Sequence, residues 1–282
     1  MLSGITIAFI GPGVMAEAML KGLLNKKLTD PEHILISGPN HEHNLELQAT
    51  YGVQPFSDNR EAARQADIVV LSIKPQRLQK VCTELKGVIQ NDAFILSIVA
   101  GATIKKIARL TGHNRVVRCM PNTPAQIGEG ITVWTASSRV SEKQHQMTGT
   151  FLNAFGKEIF VEEEDYLDKA TALSGTGPAY VYLFMEAMVD AGVHLGFPRR
   201  IAERLVIETL RGSVDYYDNG KSASKHLANL RNQVTSPGGT SAEAIYYLEK
   251  AGFRTAISRA VWAAYQRSKE LGKDAETNPP ED

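Results

Sequence analysis

Two short segments of the chain combine small, hydroxylated and helix-starting residues. The first runs from Ala172 to Tyr180 and reads ALSGTGPAY, and the second runs from Ser236 to Ser241 and reads SPGGTS. Each stands at the head of a helical pattern, where the first backbone N–H groups have no partner inside the helix. A helix start of this kind attracts anions. We therefore expect these segments to form a binding site for a small anionic molecule.

A glycine turn near the N terminus predicts a second ligand. Residues 7–16 read IAFIGPGVMA, an apolar strand, a glycine turn and a helix start in that order. Gly11 permits the tight turn, Gly13 lets the backbone approach a pyrophosphate, and Ala16 replaces a third glycine in the packing of helix on strand. The predicted cofactor contacts here are Gly11, Gly13, Val14, Met15 and Ala16. The turn predicts a dinucleotide site.

The end of the second strand bears on which dinucleotide binds. Residues 36–41 read ISGPNH and contain no carboxylate to bind a ribose 2′-hydroxyl or to repel a 2′-phosphate. NADPH is therefore favoured as cofactor and NADH remains possible, since no arginine stands there to hold the phosphate. Asn40 and His41 equally fit an ordinary polar loop.

Three further strand ends belong to the same predicted crevice, because the carboxyl ends of parallel strands meet at one edge of a sheet. Lys74 and Pro75 follow one strand, Ala100 the next, and Asn122 the one after that. Lys74 has two interpretations, a contact to a ribose or phosphate oxygen and an ordinary exposed lysine. Asn122 also has two, a partner for the nicotinamide carboxamide and an asparagine that caps its own turn.

The elements that position these residues alternate in the first half of the chain. Short apolar runs bounded by turn residues predict buried strands at Ile5–Ile10, Ile34–Ser37, Ile68–Ile73, Phe94–Ile98 and Val116–Met120. Helical patterns lie between them, which favours an α/β domain of the Rossmann type with a doubly wound, mainly parallel sheet. A helix at Glu142–Phe155 and a last strand at Glu158–Val161 follow.

The rest of the chain predicts helices only. They are expected at Asp165–Leu173, Ala179–Leu195, Arg199–Tyr217, Ser222–Asn229, Ala242–Lys250 and Phe253–Leu271. We divide the chain into a dinucleotide-binding domain (1–163), an all-α substrate and dimerisation domain (164–273) and a polar tail expected to fray (274–282).

Composition narrows the class of partner. Lys plus Arg and Asp plus Glu number 31 each, so neither nucleic acid nor a membrane surface is expected and a small-molecule substrate is. The cysteines Cys82 and Cys119 match no metal or redox spacing, and no metal is expected. Cysteines this sparse and an N-terminal apolar run too short for a span predict a cytoplasmic protein.

Taken together, these motifs resemble the pyrroline-5-carboxylate reductase family. The resemblance rests on Gly11–Ala16, Lys74-Pro75, Met120–Ala125, Ser174–Tyr180 and Ser236–Ser241, in the family's order. It implies reduction of 1-pyrroline-5-carboxylate to proline by NADPH or NADH, the last step of proline biosynthesis. It also implies a Rossmann domain followed by a helical domain that interlocks two subunits as a homodimer, commonly within larger rings.

The second anion segment suits that substrate, which carries a carboxylate and an imine. The glycine turn at Gly238 and Gly239 offers backbone donors to the carboxylate, and Ser236 adds a hydroxyl. The resemblance implies that the hydroxyl at Ser241, commonly Thr in the family, faces the ring nitrogen. Thr240 is the neighbouring candidate for that catalytic role. The resemblance also assigns Asn59, expected in a loop, to the adenosine end of the cofactor.

The predicted helix Ala179–Leu195 is apolar on nearly every side. Tyr180–Met185, Met188 and Val189 leave almost no polar stripe, and a helix apolar all round is buried all round. A helical domain of this size cannot bury it alone. We expect a second subunit to cover it.

Two other functions compete with the reductase. A β-hydroxyacid dehydrogenase shares the architecture and opening motif but places a catalytic Lys four residues after the second glycine of its helix start, where this chain has Val181. A non-catalytic sensor that binds NADP would keep the glycine turn and lose the second anion segment, which this chain retains. Both rank below the reductase.

Overall fold

An open sheet organises the first half of the chain. The structure, a computed structural model, describes residues 2–219 and 226–277. The strands are β1 (Ile7–Ile10), β2 (Ile34–Ser37), β3 (Gln54–Phe56), β4 (Ile68–Leu71), β5 (Phe94–Ser97), β6 (Val116–Met120), β7 (Gly130–Ala136) and β8 (Gly156–Phe160). Within the described residues these eight strands form one sheet in the order β3-β2-β1-β4-β5-β6-β7-β8.

The sheet is doubly wound. The chain runs outward from β1 through β2 to β3, returns to β4 on the other side of β1, and continues to β8. All neighbouring strands are parallel except β6 and β7. Alternate side chains of β1 enter different cores, with Ile7 and Phe9 in one cluster and Ala8 and Ile10 in the other. This is the α/β architecture that the sequence predicted, and the prediction is confirmed.

Helices follow most strands and then take over the chain. They are α1 (Val14–Asn25), α2 (His41–Tyr51), α3 (Asn59–Gln65), α4 (Leu78–Glu84), α5 (Ile104–Thr111), α6 (Glu142–Leu152), α7 (Asp165–Ala170), α8 (Gly177–His194), α9 (Arg199–Asp218), α10 (Leu227–Gln233), α11 (Thr240–Lys250) and α12 (Phe253–Thr277). A π-helical turn, Thr171–Gly175, lies between α7 and α8. Short 3-10 turns occur at Pro31–His33, Pro75–Arg77, Thr123–Ile127 and Asn153–Phe155.

The sequence missed two strands. β3 has three residues including a proline, and it lies at the edge of the sheet, where a proline costs no ladder hydrogen bond. β7 is antiparallel to β6, so it interrupts the βαβ alternation used to find the others. The predicted strands are confirmed with ends that differ by at most two residues.

Two C-terminal predictions fall partly outside the described residues. The tail expected to fray at 274–282 begins inside α12, which continues to Thr277, and residues 278–282 lie outside the described part. The helix predicted at Ser222–Asn229 starts outside the described residues, and α10 begins at Leu227.

The structure divides into two units. The N-terminal unit is Met1–Pro178 with Ala263–Asp282, and the helical unit is Ala179–Trp262. The N-terminal unit therefore takes in α7 and the second half of α12, while the predicted boundary at residue 163 remains a prediction. In the described residues, the buried core cluster of the helical unit consists of Val189, Ala202 and Val206.

Candidate functional site

The glycine turn after β1 has the geometry that a dinucleotide needs. Gly11 has φ +85, which favours glycine, and a Cβ added there would lie 2.6 Å from Cγ2 of Ile73. The backbone N–H of Gly11 donates to the Ser37 carbonyl at 2.8 Å, and that of Gly13 donates to the Gly11 carbonyl at 2.8 Å. The turn is therefore tight and fixed to the neighbouring strand.

Gly13 faces open space. It is the N-cap of α1 and provides no side-chain cap, and a Cβ added there meets no atom of the described structure within 4 Å. Ala16 is fully buried, as its packing role predicted, while Val14 is 64% exposed and Met15 packs partly against the core. A glycine cradle at an uncapped helix start fits the pyrophosphate of NADP.

Ser72, to which the sequence analysis assigned no role, holds this turn in place. Its hydroxyl donates to the carbonyls of Ile10 and Gly11 at 3.1 and 3.0 Å. Its position directly after a buried strand could have indicated this role from the sequence. Lys74 is exposed and precedes the 3-10 turn that Pro75 begins, so its predicted contact to a cofactor oxygen remains a prediction.

Asn59 is the first residue of α3, after the N-cap Asp58, and not the loop residue that the sequence indicated. Its Oδ1 accepts from the Ser37 hydroxyl at 2.9 Å, and its Nδ2 donates to Glu84 at 3.1 Å. The amide is thus oriented from both ends beside the carboxyl end of β2. Its contact to the adenosine remains a prediction.

The neighbouring polar residues support the turn. Asn40 caps α2, with its Oδ1 accepting from the His43 backbone N–H at 3.2 Å, which agrees with the ordinary loop interpretation. His43 was not singled out in the sequence, yet its Nε2 lies 2.9 Å from the Pro12 carbonyl. Because a carbonyl can only accept, this nitrogen carries the hydrogen.

Asn122 and Ala100 lie after β6 and β5, as predicted. The Asn122 Oδ1 accepts from the backbone N–H of Ile131 at 2.9 Å, so it fixes the start of β7 instead of only its own turn. This bond orients the side chain and uses its oxygen. Ala100 is half-buried in the loop between β5 and α5. Cofactor contacts by both residues remain predictions.

The first anion segment uses its hydroxyls internally. Ser174 donates to the Ala170 carbonyl at 3.0 Å, and Thr176 donates to the Thr171 carbonyl at 2.8 Å through its hydroxyl and again through its backbone N–H. These bonds close the π-helical turn, so the expectation of a free anion site is not met at these two hydroxyls. A Cβ on Gly175 would lie 3.6 Å from Sδ of Met120, so this turn packs on the end of β6.

The second anion segment, in the helical unit, is an open helix start. α11 begins at Thr240, two residues before the predicted start, and its N-cap Gly239 gives no side-chain cap. Gly238 has φ +71, and a Cβ on Gly239 would meet the Ser236 hydroxyl at 2.5 Å, so this tight turn needs glycine. Ser241 is half-buried, while Ser236 and Thr240 are exposed.

The three hydroxyls of this segment are available to bind a ligand. Across the described residues, the recorded side-chain hydrogen bonds include none from Ser236, Thr240 or Ser241. A turn of glycine followed by an uncapped first helical turn offers backbone donors to a carboxylate.

The described residues give little support to catalysis by a cysteine nucleophile or by a metal ion. Burial raises the pKa of the Cys82 thiol to about 12 and also raises the pKa of Cys119, so neither is an activated nucleophile. Within residues 2–219 and 226–277, no group of three His, Cys, Asp or Glu side chains could hold a metal ion. No helix in the same residues is long and apolar enough to cross a membrane.

The doubly wound sheet, the glycine cradle and the separate helical unit define the class, an NAD(P)-dependent oxidoreductase of the Rossmann type. Residues 6–101 match the family described as NADP oxidoreductase coenzyme F420-dependent. Residues 164–271 match the family described as pyrroline-5-carboxylate reductase dimerisation.

Full-length relatives identify the family. The chain is 40% identical to a pyrroline-5-carboxylate reductase of Synechocystis over 95% of this chain and 99% of the relative. It is 38% identical to that of Pseudomonas aeruginosa over 95% and 97%. The chain belongs to the pyrroline-5-carboxylate reductase family, and the match to the dimerisation domain marks it as a homo-oligomer.

Solved structures agree with this assignment. A Plasmodium falciparum pyrroline carboxylate reductase with NADP bound has a TM-score of 0.87 at 32% identity, covering 95% of this chain and 98% of that one. A Coxiella burnetii pyrroline-5-carboxylate reductase has a TM-score of 0.85 at 36% identity with the same coverage. The dehydrogenase alternative also lacks its lysine, because α8 carries Val181 at that position.

Proposed function

We propose that this chain reduces 1-pyrroline-5-carboxylate to L-proline with NADPH, the last step of proline biosynthesis. The observation that carries the proposal is the combination of two open helix starts in one chain of this family. One follows the glycine turn at Gly13, and the other follows the glycine turn at Gly239. The first suits a pyrophosphate and the second a carboxylate.

The second anion segment, Ser236–Ser241, is the proposed binding site for the substrate and is called the substrate turn below. The backbone N–H groups after Gly238 and Gly239, with the Ser236 hydroxyl, bind the substrate carboxylate. Support comes from the absence of a side-chain cap at Gly239 and from the approach of the Ser236 hydroxyl to the same glycine. A carboxylate at this point also meets the positive end of the α11 dipole.

A hydroxyl of the same turn faces the ring nitrogen. We assign this role to Ser241, which is half-buried, and keep the exposed Thr240 as the second candidate. A hydroxyl can orient a protonated imine without transferring a proton itself, and the imine is already electrophilic. Orientation and exclusion of water therefore account for the acceleration that the protein provides.

NADPH supplies the hydride when it is bound. The cradle for its pyrophosphate consists of Gly11, Gly13, Val14 and Met15, and the fully buried Ala16 packs α1 against the core behind them. The rest of the crevice is lined by Lys74, Pro75, Ala100 and Asn122. Asn59 orients the adenosine end. Ser37 and Glu84 support this role because they fix both ends of the Asn59 amide. NADH remains a possible second cofactor.

The helical unit joins two copies as a homodimer, which can build a larger ring. The small buried core of this unit in the single chain supports this assembly. We also assign the chain to the cytoplasm, where the free thiols of Cys82 and Cys119 would stay reduced.

The test is a product balance. Purified protein is incubated with pyrroline-5-carboxylate and either NADPH or NADH, and both dinucleotide oxidation and proline formation are followed. We expect one proline for each dinucleotide oxidised, with the higher kcat/KM for NADPH. Dinucleotide oxidation without proline, or no oxidation at all, would overturn the proposal.

A further inference from the structure

The loop between β5 and α5, residues 98–103, is held from two directions. It is a tight turn in which the Ala102 backbone N–H donates to the Val99 carbonyl at 3.2 Å, and Gly101 has φ +72. Ala100, assigned above to the cofactor crevice, lies at its tip. A small shift of this backbone would move that contact.

Helix α12 packs on the loop through a glycine contact. A Cβ added to Gly272 would lie 2.8 Å from the Gly101 carbonyl oxygen, and a Cβ added to Gly101 would lie 2.6 Å from the Gly272 nitrogen. Real Cβ atoms do not approach backbone this closely. Two glycines, 171 positions apart in the chain, therefore allow helix and loop to meet backbone to backbone.

Glu164 holds the other end of the loop. Its Oε1 accepts from the backbone N–H of Ile104, the first residue of α5, at 2.8 Å. The same oxygen accepts from Nη1 of Arg118 at 3.1 Å. Arg118 is only 1% exposed, so its charge requires a nearby carboxylate and fixes the Glu164 side chain.

Arg118 also connects Glu164 with α12. Its Nη2 donates to Asp168 at 2.9 Å, and the Ser268 hydroxyl of α12 donates to the same Asp168 oxygen at 2.9 Å. Tyr265 of α12 donates to Asp165 at 3.3 Å. The buried guanidinium of Arg118 therefore links the two groups that contact the loop. It binds Glu164 directly, and it binds α12 through Asp168.

We propose that Gly272 and Glu164 are positioning residues that set the 98–103 loop for dinucleotide binding. Neither belongs to a motif of the sequence, and both act on the loop backbone. The inference rests on the proposed function, since it takes Ala100 as part of the NADPH crevice. It predicts that the end of α12 controls cofactor affinity although it contains no cofactor motif.

The first test is Gly272→Ala, read by NADPH fluorescence titration in the absence of substrate. The added methyl must displace the Gly101 carbonyl, so we expect the Kd for NADPH to rise about tenfold. Because the displaced atom is backbone, thermal stability should fall as well, so the titration is made well below the melting temperature of the variant. Gly149→Ala, inside α6, is the matched control, since its Cβ would make an ordinary 3.7 Å contact to Glu158.

The second test removes the other anchor. Glu164→Ala should raise the Kd for NADPH by a similar factor, and Glu164→Gln should restore most of the affinity because the amide oxygen still accepts from Ile104. The exposed neighbour Glu163, changed to alanine, is the control and should leave the Kd unaltered. If Glu164→Ala does not fold, the Kd of Gly272→Ala decides the matter.

Two outcomes separate this inference from the proposed function. Wild-type protein that binds no NADPH would overturn both. Wild-type protein that binds NADPH, together with Gly272→Ala and any folded Glu164→Ala of unchanged Kd, would overturn the positioning role alone.

Discussion

The two units of this chain differ sharply in how much of their apolar surface they bury. In the N-terminal unit every residue of β1, β2, β4, β5 and β6 is buried. In the helical unit the described large hydrophobic residues are mostly exposed, and Leu183 on α8 is 66% exposed. A set of exposed apolar side chains this large marks an interaction surface. The N-terminal unit completes its own core, and we expect a second copy to cover the exposed apolar side chains of the helical unit.

The difference also separates two tasks. The proposed dinucleotide site lies in the N-terminal unit, which has an extensive buried core, and the proposed substrate site lies in the helical unit, which has a small one. Variants can therefore be chosen that affect stability, catalysis or cofactor affinity one at a time.

The largest effect should come from Arg118→Ala in the N-terminal unit. Removing this buried cation leaves Glu164 and Asp168 without their shared partner, and such losses cost about 3–5 kcal/mol of unfolding free energy. Denaturant unfolding measures the loss. Arg139→Ala, at an exposed position, should change the value by less than about 0.5 kcal/mol. Equal stability of the two variants would mean that the ion pairs of Arg118 with Glu164 and Asp168 do not stabilise the core.

The next effect concerns the substrate turn. Ser241→Ala should lower kcat with little change in the Kd for NADPH, because loss of a hydrogen bond in a desolvated site costs about 1–3 kcal/mol. Steady-state kinetics and a separate fluorescence titration test both parts. Thr240→Ala is the matched control, and a crippled Thr240→Ala beside an active Ser241→Ala would exchange their roles.

A smaller effect is expected in the dinucleotide cradle. Gly13→Val places a side chain where no protein atom lies within 4 Å, so folding should be unaffected while the pyrophosphate is displaced. NADPH binding should weaken at least about tenfold, which corresponds to about 1.4 kcal/mol. Normal NADPH binding by this variant would remove the cradle from the cofactor site.

The smallest effect is a pH dependence of the N-terminal unit. Burial lowers the pKa of His113, whose Nε2 lies 2.8 Å from the Ala93 carbonyl. The unfolded chain then binds the proton more readily, so this residue contributes stability above about pH 6.5 that is lost as the pH falls. Unfolding of His113→Gln should depend less on pH between about 7 and 5 than unfolding of the wild type does. Identical pH profiles would contradict this assignment.

Local patterns predicted most of the fold. Buried strands such as Ile34–Ser37 are short apolar runs, and the glycine turn at Gly11 has a fixed spacing, so both can be read from neighbouring residues. β7 could not be predicted in this way, because its antiparallel direction depends on its pairing with β6. The glycine turn at Gly238 and Gly239 was predicted because these residues precede a helical pattern, and α11 does begin there; substrate binding at this turn remains a prediction.

Long-range contacts account for what the sequence did not reveal. Nothing near Glu164 indicates that its carboxylate meets Ile104 and Arg118, which come from other elements. The exposure of α8 was predictable from its composition, since a helix apolar on every side needs partners that a small unit lacks. Its partner surface is not encoded in any local pattern.

The central claim, that the helical unit is completed by a second copy, is tested most directly by light scattering combined with activity. The account predicts that wild-type protein has at least twice the single-chain mass of 30.9 kDa at every concentration at which it is active. Leu183→Asp should lose both assembly and activity, whereas Leu45→Asp, on the exposed side of α2, should keep both. A folded, active monomer of 30.9 kDa would contradict the account.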